Sequence, residues 1–131
     1  MPQELPTGTT ILLVEDNENL RFLLSEFLSR SGATVIACAS LSDAVQRITT
    51  LRPDLILTDI NLADGSGFGL LTRVQQKDLE SGITTQVLAM SANADMRMPE
   101  LAADAGFSDF LRKPFTPGRL MEAIRKALGL N

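Results

Sequence analysis

The chain contains short apolar runs, each ending in a polar or charged residue, with helix-periodic stretches between them. Ile11-Leu12-Leu13-Val14 runs into Glu15-Asp16, and Asp54-Leu55-Ile56-Leu57-Thr58 runs into Asp59. Val87-Leu88-Ala89-Met90 runs into Ser91, and Phe107 through Arg112 runs into Lys113-Pro114. Runs of this length bounded by turn residues read as buried strands. In an open parallel sheet the carboxyl ends of the strands share one edge, and ligands bind in the crevice outside it. The sequence therefore predicts that acids, a separate carboxylate, a hydroxyl and an ammonium converge there.

The intervening stretches carry helical spacing. Leu20, Leu23, Leu24, Phe27 and Leu28 form one apolar face, with Asn17 as N-cap and Gly32 beyond the end. A second strand is expected over Ala33 to Ala39, then a short helix marked by Leu41, Ala44, Val45 and Ile48. After Asp59 and the loop Asp64-Gly65-Ser66-Gly67, Phe68, Leu71 and Val74 predict a third helix to about Asp78. A fourth is expected from Asp95 to Ala105, closed by Gly106. A fifth is capped by Thr116, with Pro117 at its first position and a stripe of Leu120, Ile124 and Leu128. Five strand–helix units in alternation predict an α/β doubly wound parallel sheet with helices on both faces.

Composition narrows the function. At 131 residues and 44% hydrophobic, the chain has the size and apolar content of one domain with a core. Residues 1–9 are polar, with Pro2, Pro6 and Gly8, and read as a flexible leader or linker before a domain over 10–131. A net charge of −4 argues against direct nucleic-acid binding, and no apolar stretch approaches the length of a membrane span. The leader does not resemble a signal peptide, and the single Cys38 cannot form an internal disulfide, so a cytoplasmic location is expected. The absence of histidine excludes any mechanism that needs an imidazole from this chain.

Taken alone, Glu15-Asp16 serves equally well as a helix cap, and Asp59 as a turn residue. Their weight comes from ending strands that this layout sets side by side. Two carboxylates so placed repel unless a cation lies between them. Mg²⁺ suits such a site, because it takes oxygen ligands and often uses one or two carboxylates with phosphate oxygens. Lys113 is aimed at the same crevice, where its point charge could pair with a carboxylate or a phosphoryl oxygen.

Glu15-Asp16, Asp59, Ser91-Ala92 and Lys113-Pro114-Phe115, in this order and spacing, resemble the receiver domain of two-component response regulators, over about Thr10 to Leu128. The resemblance implies a flavodoxin-like sheet of order 2-1-3-4-5 with five helices. It implies that Asp59 is the phosphoacceptor and that Asp16 binds Mg²⁺ directly, with Glu15 acting mostly through water. The backbone carbonyl of Asn61 would add another metal ligand. Lys113 would pair with Asp59 or its phosphate, Ser91 and Ala92 would follow the phosphoryl group, and Phe110 would be the aromatic switch. The implied donor is a phosphohistidine on a sensor histidine kinase or a histidine phosphotransfer protein. The implied role is a signalling switch that catalyses only its own phosphorylation and dephosphorylation, acting through the surface of helix 4, strand 5 and helix 5.

Three positions depart from the family pattern. Ala63 stands where proline is frequent, implying a looser loop. Ser91 replaces the commoner threonine, and Phe110 the frequent tyrosine. Two other readings use a similar fold. A flavin-binding electron carrier would want a phosphate loop after the first strand, yet Thr7-Gly8-Thr9-Thr10 precedes it. An aspartyl-phosphate phosphohydrolase typically carries a second aspartate two residues beyond the nucleophile, where this chain has Asn61.

Overall fold

The computed structural model describes residues 4–130; residues 1–3 of the expected leader and Asn131 lie outside the described residues. Five strands form one parallel sheet: β1 (Thr10–Val14), β2 (Thr34–Cys38), β3 (Leu55–Asp59), β4 (Gln86–Ser91) and β5 (Asp109–Arg112). Their order is β2-β1-β3-β4-β5, the expected doubly wound arrangement. Five helices alternate with them: α1 (Glu18–Arg30), α2 (Leu41–Thr50), α3 (Gly67–Ser81), α4 (Met98–Ala105) and α5 (Pro117–Ala127). A short antiparallel hairpin, Asn61–Leu62 with Gly65–Ser66, joins β3 to α3.

Side chains alternate across a strand, so each strand feeds two cores. Ile11 and Leu13 of β1, Leu55 and Leu57 of β3, and Leu88 and Met90 of β4 pack on one face with Leu24 and Leu28 of α1 and Leu120 and Ile124 of α5. Leu12, Val14, Ile56, Val87 and Ala89 pack on the other face with residues of α2, α3 and α4. All five residues of β3 are buried, because helices cover both faces of this central strand. Each fully buried leucine contributes about 1.5–3 kcal/mol. Leu5, in the segment read above as a leader, is buried in the α1/α5 core, and its N–H donates to the Ser31 carbonyl at 2.9 Å.

Most boundaries follow local chemistry. Asn17 accepts from the Leu20 N–H at the start of α1, and Thr116 accepts from the Arg119 N–H ahead of Pro117. The departures have physical causes. α4 begins at Met98 rather than Asp95, because the Asp95 carboxylate accepts from the Arg97 N–H and the Asn93 side chain from the Asp95 N–H. Such side-chain bonds compete with helix formation. β5 begins at Asp109 rather than Phe107, whose N–H closes α4 on the Ala102 carbonyl. β2 is one residue shorter at each end than Ala33 to Ala39. α3 runs past Asp78 to Ser81 and stops where Gly82 turns left-handed at φ 71°. Leu23 sits at the margin of the apolar face of α1 and is 63% exposed.

Gly67 is the tightest point between α3 and the sheet. Its N–H donates to the Ile60 carbonyl at 2.8 Å, and a β-carbon there would come within 2.6 Å of the Asp59 carbonyl oxygen. Backbone cannot yield as a flexible side chain can. Gly67→Ala is expected to cost roughly 1–3 kcal/mol in urea unfolding, the usual cost of forced overpacking. Gly69→Ala, where a β-carbon would meet nothing within 4 Å, should cost far less.

Candidate functional site

The strand register builds the site. Val14 lies opposite Thr58, Asp59 opposite Met90, and Ser91 opposite Arg112, so β1, β3, β4 and β5 end at one level. The ladder continues one residue beyond three of them. The Glu15 N–H donates to Cys38 O at 3.0 Å, the Ile60 N–H to Met90 O at 2.8 Å, and the Lys113 N–H to Ser91 O at 2.8 Å. The backbone around each charged group is therefore held by the sheet. The Lys113–Pro114 peptide is cis.

Lys113 Nζ lies 2.6 Å from Glu15 Oε1 and 2.6 Å from Asp59 Oδ2. Glu15 is 1% exposed and Asp59 5%, so the pairing is largely removed from water. The remaining oxygens are also bonded: Glu15 Oε2 accepts from the Asn17 N–H at 3.0 Å, and Asp59 Oδ1 from the Asn61 N–H at 2.9 Å. Asp16 is exposed and accepts from the Ala63 N–H at 2.9 Å. The direct Glu15–Lys113 bond, across 98 residues of sequence, is not visible in any local pattern.

Burial drives the Glu15 carboxyl above its usual range, against the hydrogen bonds from Lys113 and the Asn17 N–H, which pull the other way. For Lys113, burial disfavours the charge, but the bonds to Asp59 and Glu15 outweigh it and raise the ammonium above 10.5. Lys113 thus stays charged at neutral pH. One ligand oxygen from each of Glu15, Asp16 and Asp59 lies within 4.8 Å of the others. An all-carboxylate donor set fits a hard, oxygen-seeking divalent cation such as Mg²⁺.

Ser91 is buried, and its Oγ accepts from the Asn93 N–H at 3.0 Å and from Asn61 Nδ2 at 3.4 Å. Ala92, next to it, is exposed at the mouth of the crevice. Phe110 on β5 is half-buried against the α2/α3/α4 core. The Arg112 guanidinium lies 5.5 Å from the centre of the Phe110 ring and donates to the Asn93 carbonyl. Arg112 thereby joins the aromatic to the loop after Ser91. Cys38 is an unreactive thiol: burial, with Asp43 nearby, pushes it up to about 12.

A doubly wound parallel sheet with three clustered carboxylates and a lysine at its carboxyl edge is the arrangement expected of a receiver domain. The comparisons with known proteins agree: residues 11–125 match the family model described as the response regulator receiver domain. This chain belongs to that family. It is 33% identical over 120 residues to the KDP operon transcriptional regulatory protein KdpE of Escherichia coli, covering 92% of this chain and 51% of that protein. It is 32% identical to the chemotaxis protein CheY of Bacillus subtilis, covering 90% of this chain and 96% of that one. A solved signal receiver domain ascribed to a Luxo repressor protein of Vibrio parahaemolyticus superposes with a TM-score of 0.83 at 29% identity, covering 92% and 90% of the two chains. The chain spans about half the length of the KDP regulator and nearly all of the chemotaxis protein.

Two expectations follow for the metal-free protein. Lys113→Ala leaves Glu15 and Asp59 facing each other without a counter-charge. Denaturant unfolding should show a loss of roughly 1–3 kcal/mol, below the ~3–5 kcal/mol of a fully enclosed pair because Lys113 is not fully buried. Adding Asp59→Asn should recover part of that loss, and strict additivity would exclude the coupling. Glu15 carries the opposite sign. A carboxyl raised on folding stabilises below its unfolded value of 4.5, and the contribution is lost as pH rises through the folded value. Glu15→Gln should therefore be at least as stable as the wild type at pH 7, and its advantage should shrink towards pH 4 in thermal melts.

Proposed function

We propose that Asp59 accepts a phosphoryl group from a phosphohistidine on a sensor histidine kinase or a histidine phosphotransfer protein. The observation that carries this reading is Lys113 Nζ, bonded at 2.6 Å to both Glu15 and Asp59 beside the exposed Asp16. Phosphoryl transfer needs positioning and charge neutralisation more than covalent chemistry from the protein. Asp59 is held at both oxygens, by Lys113 and by the Asn61 N–H, so its carboxylate is fixed in orientation.

One carboxylate oxygen of Asp59 forms a bond to phosphorus as the phosphorus–nitrogen bond of the donor breaks. The electron pair leaves with the imidazole. In this reading Asp16, Asp59 and the Asn61 carbonyl would hold Mg²⁺ directly, with Glu15 acting mostly through water. When bound, that ion offsets the charge on the transferring group. Lys113 stays charged throughout and pairs with the new phosphate. Ser91 gives up its bonds to the Asn93 N–H and the Asn61 side chain and turns to the phosphoryl oxygens, and the Ala92 backbone follows. Space is then freed for Phe110 to pack inward, with apolar burial as its only driving force. The surface of α4, β5 and α5 changes with it, a population shift within one fold. Asn61, two residues beyond the nucleophile, cannot act as the general acid a phosphohydrolase needs at that position. No described helix is long and apolar enough to cross a membrane.

Acetyl phosphate with Mg²⁺ should add one phosphate to the protein by intact mass. Chelation by EDTA should cut labelling by roughly an order of magnitude or more, as expected where the metal bears the charge of transfer. Asp59→Asn labelled to the wild-type extent would sink the assignment.

A further inference from the structure

Asp16 is the most exposed carboxylate of the proposed cation site, and one of its oxygens lies in the cluster with Glu15 and Asp59. Two contacts hold it. The Arg21 guanidinium donates to the Glu15 carbonyl at 2.9 Å and to the Asp16 carbonyl at 3.5 Å, fixing the main chain. The Ala63 main-chain N–H donates to Asp16 Oδ2 at 2.9 Å, fixing the carboxylate itself.

Ala63 and Asp64 form the two-residue turn of the hairpin in which Leu62 pairs with Gly65. The turn is fastened from outside the crevice. Asp64 Oδ1 accepts from the Leu41 N–H at 2.8 Å and Oδ2 from the Ser42 N–H at 2.9 Å, so both its oxygens grip the N-terminus of α2. Unpaired N–H groups at a helix start suit a carboxylate, and the same bonds hold the Asp64 carboxyl below its usual range. Gly65 lies against the Leu41 side chain, which a β-carbon at position 65 would displace.

We propose that the Ala63–Asp64 turn is a positioning element for the cation site, with the Ala63 N–H fixing Asp16 and Asp64 fixing the turn on α2. The inference rests on the Mg²⁺ reading above. A carboxylate has lone pairs on both oxygens, so the bond to Oδ2 leaves Oδ1 free for a metal. The N–H also offsets part of the repulsion among Glu15, Asp16 and Asp59 while no cation is bound. Only a residue with a main-chain N–H can do this at position 63, and proline cannot. The expectation of a looser loop at Ala63 is thus reversed: the alanine ties the loop to the metal ligand.

The test is Mg²⁺ titration of the full chain, followed by amide NMR, on the wild type, Ala63→Pro, Ala63→Ser and Asp64→Ala. Ala63→Ser keeps the N–H and should bind within about twofold of the wild type. Ala63→Pro and Asp64→Ala should bind on the order of tenfold more weakly, as for loss of an outer partner of a metal ligand. Wild-type affinity in both would overturn the proposal while leaving the site assignment intact. If the wild type itself shows no saturable Mg²⁺ binding, the metal reading fails instead. Should Ala63→Pro lose its dispersed spectrum, a second measurement decides. Ala63 is exposed, so slow exchange of its amide reports this bond. Protection is expected in the metal-free wild type and should fall in Asp16→Ala, whereas free exchange in the wild type would also overturn the proposal.

Discussion

Three carboxylates crowd one sheet edge, and the bond network around Lys113 makes that arrangement tolerable. Glu15 and Asp59 are nearly dry, and like charges in such a place repel strongly. Lys113 answers both at 2.6 Å, from just past the end of β5 and far from either in sequence. Main-chain N–H groups of Asn17, Asn61 and Ala63 take up further oxygens of the set. The crevice is thus a cluster of three carboxylates with one internal cation, Lys113.

The sheet makes this geometry rigid. Parallel pairing aligns the strand ends, and the ladder bonds made by Glu15, Ile60 and Lys113 carry the alignment one residue into the loops. Two leucine-rich cores clamp the strands from either side, so the edge cannot shift without disturbing both. Gly67 extends the same logic into the following loop, where the missing side chain lets α3 press against the Asp59 carbonyl. Ser91 accepts from the Asn93 N–H in the loop after β4 and from Asn61 in the hairpin after β3, and Arg112 ties Phe110 to the loop after β4. In the function proposed above, a change of charge at Asp59 would meet a base fixed by the sheet and a rim tied by a few side-chain contacts, the kind of element a two-state switch uses.

Local chemistry in the sequence determined much of this. Asn17 and Thr116 marked helix starts because a side-chain oxygen before an apolar periodic run has an N–H to accept. The alternation of apolar runs and amphipathic stretches determined the layer architecture, since each pattern buries only one way. The polar residue closing each run pointed to the site, because strand ends in a parallel sheet must meet. Where several side chains compete for one backbone, local reading was less accurate: Asn93 and Asp95 delayed α4, and Leu23 lay just outside the buried face of α1.

Only the tertiary structure decided which partners meet. The bond between Glu15 and Lys113, the grip of Asp64 on α2 and the Ala63 N–H on Asp16 all join segments far apart in the chain. None is encoded as a motif, because each depends on how strands register and how one turn packs against a helix start. The sequence by itself determined which charges gather at the edge. The packed fold decided which of them neutralise one another and which carboxylate is left facing solvent, because those outcomes depend on distances of a few ångströms that no residue spacing specifies.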